Sequence, residues 1–301
     1  MARRRKGRDI HGVLLLDKPA GWSSNQAVQK VRWLFQARKA GHTGTLDPFA
    51  TGMLPICLGE ASKTAAYMLD ANKTYEACAR LGEATTTGDI EGEVTCTAAV
   101  PELDATALDA VFARFTGVIR QVPPMYSAIK HDGQPLYRLA RAGREVERAA
   151  REVTIFRLEL LAWQAPDLAF RVECSKGTYI RTLAEDLAEA LGSCAHLRTL
   201  RRTASGAFEN GMVTLEELEN RVHDGAAESL LLPPDAGLAD WPVVTLDAAA
   251  ANRFSHGNPV PVLIDSPTRV RVYTEEGMLL GLGEVTAEKT LKPKRIMNLR
   301  A

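Results

Sequence analysis

The sequence predicts an α+β fold that ends in a small β-barrel-like unit, and three observations carry that expectation. Strict alternation of apolar and polar residues marks strands at 75–81 and 168–174. Apolar residues at helical spacing mark two amphipathic helices, one through Ala27, Val28, Val31, Leu34 and Phe35, the other through Ile180, Leu183, Leu187 and Leu191. Beyond Trp241-Pro242 the last sixty residues carry only short β-like runs separated by turns.

In chain order, residues 1–9 read as a basic, disordered arm. Val13 to Leu16 is a short buried strand stopped by Asp17-Lys18-Pro19-Ala20-Gly21, and Ser24 is the expected N-cap of the first helix. Residues 40–52, AGHTGTLDPFATG, contain Gly41, Gly44, Pro48 and Gly52 and read as a loop with a single acid, Asp47. Taken by itself, a loop Asp is most simply a turn-former. Val153 to Leu161 is a further strand. Ser175-Lys-Gly-Thr178 turns into the second helix, which Gly192 ends, so Tyr179 and Arg181 fall in its first turn, where they can reach a cleft. Arg138, Arg141, Arg144, Arg148 and Arg151 recur every three or four residues, which would line them up on one helix face despite Gly143. Leu230 to Gly237 breaks the pattern, and the short runs 260–264, 270–273 and 279–285 follow.

Composition narrows the class of protein. With 46 % hydrophobic and 25 % charged residues in 301, the chain suits one large domain, or a large one with a small one. No apolar run approaches the roughly 20 residues of a membrane helix, and the basic opening lacks a signal-peptide core. Cysteines 57, 78, 96, 174 and 194 form no CxxC pair and read as reduced thiols of a cytoplasmic protein. The six histidines are scattered, so no metal site is expected. Net charge is zero, yet 1–39 holds ten bases against Asp9 and Asp17, 83–109 holds seven acids and no base, 114–151 holds eight bases against three acids, and 289–300 holds five bases. Such segregation can build a basic face for phosphates or remain a set of solvated faces.

Several chemistries are removed. Gly59-Glu-Ala-Ser-Lys-Thr64 does not fit a phosphate-loop frame, and neither GxSxG nor GxGxxG occurs. A paired-carboxylate glycosidase would need Asp17 or Asp89 beside Asp47. A lone carboxylate with aromatics, arginines and basic surface suits chemistry on an extruded nucleobase. There a neighbouring Arg would offset burial of the Asp, lowering its pKa by about 1–3.

The blocks VLLLDKPAGWSSN, AGHTGTLDPFATGMLPICLGEASK, KTYEACARLGEATTTGDIEGEV, QVPPMYSAIKHDGQPLYRLARAGREV and CSKGTYIRTLAEDLAEALGSCAHLRTLRR occur in this order over most of 12–203. Together they closely resemble the bacterial tRNA pseudouridine-55 synthases, the TruB family. The last sixty residues resemble that family's PUA-type RNA-binding domain more loosely. The resemblance implies a pseudouridine synthase fold, with a mixed, largely antiparallel sheet and flanking helices over 10–240 and a PUA-like domain over 241–301. It implies isomerisation of a flipped T-loop uridine of tRNA by a cytoplasmic, monomeric enzyme with no cofactor, metal or membrane. Asp47 would be the nucleophile, by attack on ribose C1′ or by another route. Tyr75 would stack on the base and serve C5 proton removal; Arg181 would pair with Asp47. Tyr179 would support the pocket, Leu200 close it, and His42 hold the T-loop open. Lys18 and Pro19 would brace the site. Residues 124–151 would be an RNA-contacting finger carrying Arg138, Arg141, Arg144 and Arg148. A guide-RNA-dependent relative and a non-catalytic tRNA-binding or folding protein are the alternatives.

Overall fold

A computed structural model describes residues 7–264 and 267–299. One eight-stranded sheet organises the larger part. Its strands are β1 (Gly12–Lys18), β2 (Ala40–His42), β3 (Thr51–Leu58), β4 (Lys73–Leu81), β5 (Gly117–Gln121), β6 (Arg151–Gln164), β7 (Asp167–Cys174) and β8 (Ala195–Ser205). They lie in the order β1-β3-β8-β4-β7-β6-β5, with β2 also paired to β3. Every pairing is antiparallel except β3 with β8, so the sheet is mixed and largely antiparallel as expected. At that parallel junction Gly52 lies opposite Arg202 with φ +97°, and an added Cβ would come 2.3 Å from the Arg202 carbonyl oxygen. A side chain there would pry the two central strands apart.

Three helices, α1 (Ser24–Leu34), α2 (Ala105–Arg114) and α4 (Ile180–Ala190), share one buried cluster with the sheet. A shorter helix, α3 (Leu136–Arg141), precedes β6, and α5 (Leu215–His223) follows β8. Val28 and Val31 of α1, Phe112 of α2 and Leu183 and Leu187 of α4 join Leu14, Ile56, Ala77 and Phe170 in that cluster. Strand β4 alternates perfectly, Lys73, Tyr75, Ala77, Ala79 and Leu81 being buried and their neighbours half-exposed. That period-2 pattern is what turns Tyr75 toward the interior rather than toward solvent.

Four expectations change. The cap of α1 is Ser23, whose hydroxyl accepts from the Gln26 N–H (3.3 Å) in a capping box; Ser24 is buried instead. The 40–52 stretch is not loop throughout: its ends belong to β2 and β3, and only 43–50 is irregular. Strand β3, with Pro55 in its middle, and the arginine-rich β8 escaped residue-level reading, because proline and repeated charge both argue against a central strand. The arginine line does not share a helix. Gly143, at φ +69°, ends α3 in a Schellman turn, with the Gly143 N–H donating to Ala140 (2.9 Å) and the Arg144 N–H to Leu139 (2.9 Å). Of the basic arm, residues 1–6 lie outside the described residues, whereas Arg8 is docked, its N–H donating to Gln36 (2.7 Å).

The C-terminal sheet has β9 (Val243–Leu246), β10 (Val260–Pro261), β11 (Thr268–Thr274), β12 (Leu279–Val285) and β13 (Thr290–Ile296) in the order β9-β11-β12-β13-β10. Helix α6 (Ala248–Ser255) contributes Phe254 to its core beside Val270, Val272 and Leu291. Leu279, Leu282 and Met297 also pack with Val13, Leu15 and Met53 of the large sheet, so this unit is seated on the face away from α1 and α4. Among the described residues no helix is long and apolar enough to cross a membrane.

Candidate active site

The Asp47 loop is held from three directions. From below, the buried Lys18 ammonium at the end of β1 donates to the carbonyls of Trp22 (2.6 Å), Pro19 (2.9 Å) and Pro48 (3.2 Å). From α1, the Ser24 hydroxyl donates to Leu46 O (3.0 Å) and accepts from Leu46 N–H (2.8 Å). From β8, the buried Arg202 donates to Met53 O (2.6 Å) and Gly44 O (3.1 Å). Pro48 then serves as the second residue of a turn closed by the Ala50 N–H to Asp47 O (3.1 Å). The residue types are those a rigid platform needs: a proline to set the turn, and donors aimed at carbonyls that would otherwise be buried unpaired.

Arg181 reaches Asp47 from the opposite wall. Its Nε lies 3.1 Å from Asp47 Oδ2, and the same guanidinium lies 3.5 Å from Asp89 Oδ2. Its remaining N–H groups donate to Thr87 O (2.8 Å) and Tyr126 O (2.7 Å). Only 4 % of the Arg181 side chain is exposed, against 34 % of Asp47, so the acid faces the cavity while the base is spent behind it. The start of α4 is set by Gln121 of β5, which accepts from the Tyr179 N–H (3.1 Å) and donates to the Tyr179 carbonyl (3.3 Å). Asp89 is thus brought close, but with Arg181 between the two acids rather than a gap for water. Asp17 is held elsewhere by Arg201 at 2.8 and 3.0 Å.

Burial is the main force on the titrating groups here. It raises the Asp47 carboxyl above its ordinary range, with Arg181 pulling it down, Asp89 pushing it up and Lys18 opposing. Lys18 is itself lowered to about 8 by burial, with Asp47 and Glu91 resisting. Burial also raises the Tyr75 phenol, against the pull of Arg202, and the Tyr179 phenol, against the pull of Ser127. Lys73 is lowered to about 8, first by burial and then by Arg202, while it donates to Leu69 O (2.6 Å) and Ala71 O (2.5 Å).

These groups surround a cavity of about 290 Å³. Asp47, Tyr75, Tyr179, Arg181 and Leu200 all line it, joined by Lys73 and Arg202. The size is near the lower end for small-molecule sites, about 300 Å³, which suits one base rather than a length of chain. His42 does not line it. Burial lowers its pKa, and its Nδ1 accepts the Gly44 N–H (3.2 Å), so it sits at the loop's shoulder. The 124–151 segment contributes Ser127 and Ala128 to the wall, which places the base of the expected finger over the cavity. Arg138, Arg141 and Arg144 are exposed, and Arg141 stacks on Tyr137 with 5.7 Å to the ring centroid. Arg148 folds back onto Pro123 O (3.3 Å) and Glu145 (3.2 Å). Among the described residues no group of three or more His, Cys, Asp or Glu is placed to hold a metal ion.

Lys73, Ser24 and Arg202 were missed as site residues, and Asp89 was weighed only as a second acid for a glycosidase. Only chain neighbourhood hinted at the missed residues, Lys73 two positions before Tyr75 and Arg202 two after Leu200.

Comparison with known proteins identifies the family. Residues 32–180 match the model of the TruB family pseudouridylate synthase N-terminal domain. Residues 181–239 match the tRNA pseudouridylate synthase B C-terminal domain, and 242–297 match the C-terminal model of pseudouridine synthase II TruB. The chain is 52 % identical to tRNA pseudouridine synthase B of Pseudomonas aeruginosa, over 96 % of this chain and 97 % of that one. It is 55 % identical to the protein of the same name from Cupriavidus metallidurans, over 97 % and 96 %. Among solved structures, a chain of a Cbf5–Nop10–Gar1 complex superposes with a TM-score of 0.74 at 27 % identity, covering 95 % of this chain and 84 % of that one.

Proposed function

Since the chain belongs to the TruB family of pseudouridylate synthases, we propose that it converts the uridine at position 55 in the T-loop of tRNA to pseudouridine. One observation carries the assignment of roles: an acid and arginine pair, Asp47 and Arg181, at the wall of a base-sized cavity that also holds Tyr75. The uridine is flipped out of its stack into that cavity. Asp47 is the nucleophile that assists cleavage of the N1–C1′ bond. The freed uracil turns, C5 bonds to C1′, and the C5 proton leaves while N1 regains one, so atoms balance without a cofactor. Tyr75 stacks on the base and serves C5 deprotonation; its place in the cavity wall with Asp47 and Arg202 supports this. Leu200 and Tyr179 exclude water from the reacting atoms. Lys18 and Pro19 brace the Asp47 loop, and His42, on the loop's shoulder, faces the arriving T-loop.

The enzyme works in the cytoplasm as a single chain and without a guide RNA. The 52–55 % identity to tRNA pseudouridine synthase B, against 27 % to the Cbf5 complex chain, supports the guide-free reading. The purified protein alone, given an unmodified tRNA transcript, is expected to yield one pseudouridine, at position 55, in mass and chemical mapping. Product elsewhere, or none without added guide RNA, would overturn the assignment.

The 124–151 segment acts as the RNA-contacting finger and the C-terminal sheet as a PUA-type RNA clamp. Arg138, Arg141 and Arg144 are exposed, whereas Arg148 is half-buried. Replacing the three exposed arginines with Gln is expected to reduce the slope of log affinity against log salt by roughly 2. Replacing Arg148 alone is expected to leave that slope nearly unchanged. Filter binding of tRNA between 50 and about 200 mM salt reads both.

A further inference from the structure

Cys96 and Cys194 belong to no part of the site above, and we propose that they form a reversible disulfide that staples the 83–97 hairpin to the turn between α4 and β8. The hairpin pairs Glu83–Thr85 with Val94–Thr97, and its register sets Cys96 opposite Ala84. Cys194 follows Gly192, whose φ of +81° ends α4 and turns the chain back toward that hairpin. Hydrogen bonds then hold the two segments together. Two contacts cross between the segments, Gly82 N–H donating to Cys194 O (2.8 Å) and Ser193 Oγ to Ala99 O (2.8 Å), and a third, Ala98 N–H to Gly82 O (2.9 Å), closes the base of the hairpin itself. Cys194 Sγ lies 3.8 Å from Cys96 O, and the Cys96 thiol is its hydrogen-bonding neighbour. The two thiols are therefore neighbours across segments that are already paired, the proximity from which a disulfide can form.

Accessibility orders the chemistry. Cys96 is exposed and Cys194 half-buried, so hydrogen peroxide meets Cys96 first. The Cys96 thiolate attacks one peroxide oxygen, the O–O bond breaks, and a sulfenic acid forms as hydroxide leaves and takes up a proton. Cys194 sulfur then displaces the sulfenic oxygen, which departs as the second water. Two thiols and one peroxide become one disulfide and two waters, and a dithiol reverses the exchange. Of the other thiols, Cys57 and Cys174 are buried and pushed up to about 12, and Cys78 is half-buried with its thiol raised by burial. The stapled hairpin carries Thr87 and Asp89, two of the groups that hold Arg181, so the bond would restrain the loop behind the ion pair.

The test uses the full chain, reduced and then exposed to hydrogen peroxide. Intact mass should fall by about 2 Da as two hydrogens leave. Peptide mapping should give a Cys96–Cys194 cross-link that dithiothreitol removes. Tm should rise by roughly 5 °C or more, because the unfolded chain is constrained. Cys96→Ser and Cys194→Ser should each lose both the cross-link and the rise. Oxygen addition without cross-linking, a bond between a different pair or between two chains, or an oxidised protein with unchanged Tm would each overturn the staple.

Discussion

Asp47→Asn is expected to bind tRNA with undiminished affinity while tritium release from C5-labelled uridine falls by about 10⁴-fold or more, the scale on which loss of a nucleophile acts. The amide keeps the shape of the acid but has no charge to share with a reacting ribose. The fold should not suffer. Asp47 is raised by burial, so its contribution to stability is present below the unfolded value of about 3.9 and is lost as pH rises through the higher folded value. The Asn variant escapes that loss. Its Tm should therefore match or exceed that of the parent at neutral pH, and the difference should shrink in acid. Arg181 keeps Asp89 at 3.5 Å, which limits the damage behind the loop. Turnover by the variant within 100-fold of the parent would sink the nucleophile assignment.

Arg181→Met should be the most damaging change to the scaffold of the site. It strips the buried partner from Asp47 and Asp89 and leaves the Thr87 and Tyr126 carbonyls without their donors. Breaking a buried pair in this way costs about 3–5 kcal/mol. The sign with pH follows from the charges. Arg181 pulls the Asp47 pKa down against burial, so its removal lets that pKa rise further. The stability deficit should accordingly be smaller near pH 4 than near neutrality, where the unpaired acid must be ionised. Arg181→Lys keeps one positive charge without the planar fork. We expect about 10²–10³-fold lower kcat and an acid limb of the pH–rate profile displaced to higher pH. Urea unfolding at two pH values and a kcat profile read these effects; an acid limb that does not move would refute the electrostatic role of Arg181.

Where local pattern was strong, the elements were legible. Alternation across 75–81 placed Tyr75 on the buried side of a strand, and the helix from Ile180 with its Gly192 stop put Arg181 in a first turn. The family blocks then linked Asp47 to both, a connection no local pattern holds. Misreadings came where a local rule met a stronger neighbour. Ser23 and Ser24 are equally good caps by type, and only the Leu46 backbone opposite decided which one turned inward. Arginines at helical spacing gave way to one glycine, Gly143, that ended the helix before Arg144.

By itself, then, the sequence determined which residues can ionise, stack and turn, and those strands and helices whose local pattern is strong. Periodicity and backbone preference act over a few residues, so those features are written locally. Tertiary structure alone decided that Asp89 would stand behind Arg181, that Arg202 would brace both Gly44 and the strand below it, and that two distant cysteines would meet. Those outcomes depend on strand order and register, which are settled by burying the whole apolar face at once. Asp47 is an ordinary turn residue in the chain; its altered acidity comes from the dry wall and the guanidinium that folding brings to it.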